Sequence, residues 1–214
     1  MSQQVVDTTT PTGVIRGTVE SSRARAGVLL IALSAQFMVV IMLAAAMAPN
    51  YNFNTAAISD LGVFPETAWL FNASLVVVGL LNLVAGYYFY RSHGKRWLLA
   101  AFALAGIGAL GAGVFPLDTG DAHSLFALLA FLFFNVQALG SATEFPGVMK
   151  LLSVVAGGIG IAFVVVMVVG DGGNTAVFGP IGHGGAERMI VYPVMLWMVA
   201  AGGYLLGVRD TATA

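Results

Sequence analysis

Cysteine is absent from the chain, which excludes disulfides, thiolate zinc sites and cysteine nucleophiles. Charge is scarce as well: only 9% of the 214 residues are Asp, Glu, Lys or Arg, while 58% are hydrophobic. A soluble domain carries about a quarter charged residues, so a soluble fold of this composition would lack the polar surface to cover its core. The formal net charge of −1 gives no bulk electrostatic ground for binding nucleic acid. These absences leave an integral membrane protein, with a length that suits one compact bundle and no separate soluble domain.

What is present is a series of long apolar runs. A helix crossing the hydrocarbon needs roughly 20 mostly apolar residues. Six stretches qualify, near 26–48, 68–90, 97–115, 123–141, 150–170 and 189–208. The fold expected is therefore all-α, a bundle of six transmembrane helices in a membrane domain over 26–208. A polar, Thr-rich tail over 1–25, expected to be disordered, precedes it, and a short tail over 209–214 follows. "LAAAMAP" near the end of the first run resembles a signal-peptidase site, but the run is longer than a signal core and reads as a retained helix.

Basic residues set the orientation, because cytoplasmic loops keep them. Arg16, Arg23, Arg25, Arg91, Lys95, Arg96, Lys150 and Arg209 fall on one side of six alternating spans, and only Arg188 falls on the other. Both termini are thus expected in the cytoplasm of a multi-pass cell-membrane protein. The same alternation places Asp60, Glu66, Asp118, Asp121, Asp171, Glu187, His123 and His183 outside, so six of ten acids and two of three histidines share one face. Three outer loops are expected to form a polar cap there.

Each loop has a local reading. In "APNYNFNTAAISDLGVFPETAW" a short helix is expected, with Thr55 capping its start, Gly62 in the left-handed position after its end and Pro65 opening the second span. In "FPLDTGDAH" Asp118 reads as an N-cap, with Asp121 completing a box-like pair. That leaves His123 at headgroup level. In "GDGGNTAVFGPIGHGGAERMIVYP" Glu187 complements a helix N-terminus. Arg188 is a cation at the wrong helix end and is expected to pair with Asp60, Asp118 or Asp121. Ser59, Asp60, Asp118, Asp121 and Arg188 form the candidate binding set for a lipid, a partner subunit or a second copy of the chain. Asp60, His123 and Glu187 are the residues that would carry catalysis if the cap is an enzyme.

Within the spans, "GIGALGAG" and "GGIGI", with Gly79 and Gly86, offer small residues for close helix contacts. Asn72, Asn82, Asn135 and Gln137 are polar at membrane depth and are expected to bond between helices. A transporter would instead need a polar path from outside to Asn72, Asn82 or Asn135. No charged residue lies deep in a span to couple such transport. Tyr87, Tyr88, Tyr90 and Trp97 fit an interfacial aromatic belt.

"AISDLG" (57–62), "WLFN" (69–72), "FPLD" (115–118) with His123 close behind, and "GGAER" (184–188) resemble an uncharacterised prokaryotic membrane family, domain of unknown function 998. The resemblance implies a six-helix membrane fold and no settled activity. A weaker, motif-type resemblance links Ser59, Asp60, His123 and His183 to alkaline-ceramidase-like membrane hydrolases. It implies zinc held near one bilayer face, here by His123 and His183 with Asp121, or alternatively Asp118, Asp60 or Glu187, as third ligand, acting on lipid-like substrates. Those enzymes use three histidines, and the third here, His93, falls on the opposite face.

Overall fold

In a computed structural model the described residues run from 11 to 207, with side chains from 17. The extreme tails, including Asp7, Arg209 and Asp210, lie outside the described residues. Six long helices carry the fold: α1 (Pro11–Met47), α2 (Ala68–His93), α3 (Arg96–Val114), α4 (Asp121–Ser141), α5 (Gly147–Asp171) and α6 (Gly182–Gly207). All six are long and apolar enough to cross a membrane. Three 3-10 turns sit in the connections, at Ser59–Gly62, Leu117–Thr119 and Thr175–Ile181. The 11–25 stretch is helical, continuous with the first span. No disordered-to-helical boundary falls at residue 26, because nothing in 11–25 breaks the helix after Pro11, which suits a first helical turn.

Each helix packs on the next, and α1 packs on α6, so the six form a closed ring. The ring is stitched by close backbone approach. A Cβ on Gly27 would meet the Gly202 carbonyl at 2.7 Å, and one on Gly202 would meet the Gly27 carbonyl at 2.6 Å. Gly79 and Gly106 do the same between α2 and α3. Small residues at the seams let dispersion act over long contacts where no hydrophobic drive exists between helices. The ring surface is correspondingly apolar: Val39, Leu125, Val148 and Leu196 are more than 60% exposed, as suits side chains that meet lipid.

The polar groups at membrane depth find one another. Asn82 donates to Gln137 at 3.1 Å and to the Phe102 carbonyl at 2.8 Å, and Gln137 donates back to Asn82 at 3.3 Å. Trp197 donates to Ser153 at 2.8 Å, joining α6 to α5. In α6, Pro193 lacks the N–H its helix would use, and Asn135 donates to the Ile190 carbonyl in that turn at 3.2 Å. Asn82→Leu is expected to lower stability by about 1–2 kcal/mol, read from thermal unfolding in mild detergent. Gln137→Leu added to it should cost less than Gln137→Leu alone, because the pair acts as a unit.

Candidate functional site

The α1–α2, α3–α4 and α5–α6 connections meet at one end of the ring, and the polar residues gather there. The α1–α2 segment, 48–67, is shaped by its own side chains. Asn50 turns it with φ 58°. Asn52 accepts the Asn54 N–H at 2.9 Å, and Asp60 accepts the Ala57 N–H at 2.8 Å. Thr55 does not cap a helix and Gly62 is not left-handed; only Ser59–Gly62 forms a single 3-10 turn, followed by Val63. Pro65 lies in the turn before α2, which starts at Ala68.

This segment is fastened to α6. Gly184 donates its N–H to the Asn54 carbonyl at 2.9 Å, and the Asn54 side chain donates to the Pro180 carbonyl at 2.7 Å. The contact needs glycine: a Cβ at residue 184 would sit 2.1 Å from the Ala56 carbonyl oxygen. One turn on, Arg188 is 7% exposed. Its Nη1 donates to the carbonyls of Phe53 (2.9 Å), Ala56 (3.0 Å) and Gly184 (2.6 Å), and its Nη2 donates to the Tyr51 hydroxyl at 2.6 Å. The guanidinium also lies over the rings of Phe53 and Tyr51, 4.8 and 5.5 Å from their centroids. The expected pairing of Arg188 with Asp60, Asp118 or Asp121 is therefore corrected. Backbone carbonyls, left over because the segment is not a regular helix, supply the acceptors. Tyr51 in turn donates its hydroxyl to the Ala57 carbonyl at 2.6 Å. Burial pushes its hydroxyl up to about 12 against the opposing pull of Arg188, so the phenol stays protonated and the relay intact.

Glu187 faces the other way. It is 3% exposed. One carboxyl oxygen accepts the Ile58 N–H and the other accepts the Ser59 hydroxyl at 3.1 Å. Its role is to hold the 3-10 turn rather than to answer a helix dipole. Among the described residues no basic side chain forms an ion pair with it.

His123 is buried at 4% exposure, because α4 starts at Asp121 and its first turn points this side chain inward. Its Nδ1 lies 2.8 Å from the Phe115 carbonyl. A carbonyl only accepts, so Nδ1 carries the proton, and in the neutral ring Nε2 is a bare lone pair. Nε2 has no partner. His183 meets Asp171 at 3.1 Å near the surface. Asp118 and Asp121 are exposed, and neither caps α4. Gly120, at φ 66°, takes the N-cap position, and no side-chain cap bond forms.

Two spaces adjoin these groups. A small interior cavity of about 60 Å³ lies among α1, α2, α3, α4 and α6, with Ser59, His123 and Glu187 at its polar end and Asn135 further along α4, between otherwise apolar walls. A lateral cavity of about 510 Å³ shares Ser59, His123 and Glu187 and continues between α4 and α5 along Leu128, Phe131, Val164 and Val168. Asp171 and His183 stand at its rim. Leu128 and Val168 are 44% and 55% exposed, so the lateral space reaches the ring's lipid-facing surface. Of the candidate binding residues, only Ser59 lines the cavities. Asp60, Asp118, Asp121 and Arg188 do not.

The family model described as "Protein of unknown function (DUF998)" matches residues 18–204. The chain belongs to this family. No curated protein and no solved structure matches it. In this DUF998 chain the stretches that carried the sequence resemblance converge. The 57–62 stretch binds Glu187 of 184–188, Asn72 of 69–72 donates to the Gly62 carbonyl at 2.9 Å, and Phe115 holds His123. The hydrolase-type resemblance does not gain from the geometry. Among the described residues no three His, Asp or Glu side chains are placed to hold a metal ion, so the zinc set of His123, His183 and Asp121 is corrected. Asp121 points to solvent and His183 is turned to Asp171. Ser59 donates its hydroxyl to Glu187 rather than to His123, so Ser59 and His123 form no hydrogen-bonded pair. What the DUF998 site can do is accept: a free imidazole nitrogen and a buried carboxyl face a shared cavity. Tyr51, Phe53 and Asn54 were not singled out from sequence. Two aromatics two residues apart in a loop, with an arginine expected on the same side of the spans, are the signal that would have found the Arg188 clamp.

Proposed function

We propose that this protein binds a membrane amphiphile through the lateral cavity, with the polar head at Ser59, His123 and Glu187 and the apolar chain between α4 and α5. The observation that carries this reading is one cavity joining an unpartnered, buried His123 Nε2 and a buried carboxyl to an apolar cleft on the lipid-facing surface. Such a shape suits a molecule with one wet end and one oily end, admitted sideways from the bilayer. The count of basic residues supports placing this end outside the cytoplasm and both termini within it. A polar path for transport finds less support: the interior cavity touches Asn135, but Asn72 and Asn82 are spent on hydrogen bonds away from it.

A photoactivatable alkyl alcohol in lipid nanodiscs tests the reading. Crosslinks are expected to concentrate on Leu128, Phe131, Val164 and Val168, identified by mass spectrometry. Ala127 lines both cavities, and Ala127→Trp should reduce that labelling about tenfold by filling them. Labelling spread evenly around the ring, or unchanged in Ala127→Trp, would refute the proposal.

A further inference from the structure

The polar end of the cavity has a one-sided chemistry. Its polar lining is Ser59, His123, Ser124, Asp171, His183 and Glu187. It contains two carboxyls and no lysine or arginine. The one cation close in sequence, Arg188, is spent on three carbonyls and a phenol and lines neither cavity. At the rim His183 and Asp171 answer each other. Deeper in, Glu187 has two hydrogen-bond donors, both from the 57–62 stretch, and among the described residues no ion-pair partner. A carboxylate offers about four lone-pair sites, so half of its capacity is open. Beside it in the lining, His123 has its Nδ1 on the Phe115 carbonyl and its Nε2 without a protein partner.

Resting on the amphiphile-binding reading, we propose that the site selects an ammonium head carried on a hydrocarbon chain, without an adjoining phosphate. An ammonium has three donors and no acceptor, the complement of this lining. It would also supply the countercharge that a buried carboxylate needs. A phosphate or sulfate head would bring an anion up to Glu187 in a low-dielectric pocket, where like charges repel strongly. The apolar cleft between α4 and α5 takes the chain, and the ammonium sits where Ser59, His123 and Glu187 share the wall.

The test is competition against the photoactivatable alkyl alcohol in nanodiscs of a neutral lipid, using decylammonium, decanol and decyl phosphate. Decylammonium is expected to displace the label at about tenfold lower concentration than decanol, as a charge-assisted hydrogen bond allows, and decyl phosphate is expected to be the weakest. In Glu187→Gln the gap between amine and alcohol should shrink to about twofold. If that variant does not purify folded, the wild-type ranking decides alone. Decyl phosphate competing as well as the amine, or the amine competing no better than decanol, overturns the head-group assignment and leaves the amphiphile site standing. Label that none of the three displaces, and that Ala127→Trp does not reduce, overturns the amphiphile site itself.

Discussion

Arg188→Met is expected to unfasten the 48–67 segment from α6 and to cost about 3–5 kcal/mol, the range for breaking a buried, charge-assisted hydrogen-bond network. The side chain makes four hydrogen bonds, two of them to the Phe53 and Ala56 carbonyls of the 48–67 segment, one to the Gly184 carbonyl of α6 and one to the Tyr51 hydroxyl. Methionine keeps much of the length and none of the donors, so the carbonyls of Phe53 and Ala56 would be left facing a buried apolar group. The measurement is paired: thermal unfolding in detergent, and limited proteolysis across 48–67. Cleavage in that segment at temperatures where the six helices remain intact is the expected signature. Arg188→Lys keeps the charge but replaces the fork with a single ammonium. It should fall between wild type and methionine. An Arg188→Met protein as stable and as protease-resistant as wild type would show that the clamp is incidental.

Gly108→Val should be worse for assembly than any single loss at the polar end. A Cβ on Gly108 would lie 2.4 Å from the Ala130 nitrogen, and 2.9 Å from both its Cα and the Phe126 carbonyl oxygen. All three are backbone atoms of α4, so nothing can rotate aside, and α3 and α4 must separate. Overpacking of this kind costs about 1–3 kcal/mol for one added carbon where neighbours yield. Here they do not, and valine adds more than one. Gly158 on α5 is the control, because a Cβ there meets nothing within 4 Å. Gly158→Ala should be neutral or slightly stabilising, by up to about 1 kcal/mol from helix propensity. Yield of monodisperse protein and melting temperature, compared across Gly108→Ala, Gly108→Val and Gly158→Ala, check the ordering.

The six spans were readable from sequence because membrane burial rewards length and apolarity alone, properties a linear count captures. The partners of the polar groups were not readable in the same way. Arg188 was assigned a carboxylate because charges can be counted along a chain, whereas the carbonyls that bind it are anonymous until the backbone of 48–67 is known to be irregular. Asp118 and Asp121 have a good capping spacing, but Gly120 between them adopts φ 66° and takes the cap position. His123 and His183 line the same cavity, yet one nitrogen of each is committed elsewhere, His123 Nδ1 to the Phe115 carbonyl and His183 Nε2 to Asp171. Glu187 was legible as a candidate, and its burial was not. It lies in the second turn of a helix that starts at Gly182, earlier than hydropathy places the sixth span.

Ring closure between α1 and α6 also fixes a timetable. The ribosome completes α1 long before it reaches α6: 135 residues separate Met47 from Gly182, on the order of 10 s of translation at about 5–20 residues per second. Throughout that interval the Phe53 and Ala56 carbonyls and the Ile58 amide have no Arg188 or Glu187 to meet. The polar end is therefore completed late in synthesis, although its 48–67 segment is made early. A nascent chain stalled before α6 would present 48–67 as an unanchored strap, open to any protease on that side of the membrane. Arrival of two consecutive residues, Glu187 and Arg188, converts that strap into the wall of a cavity.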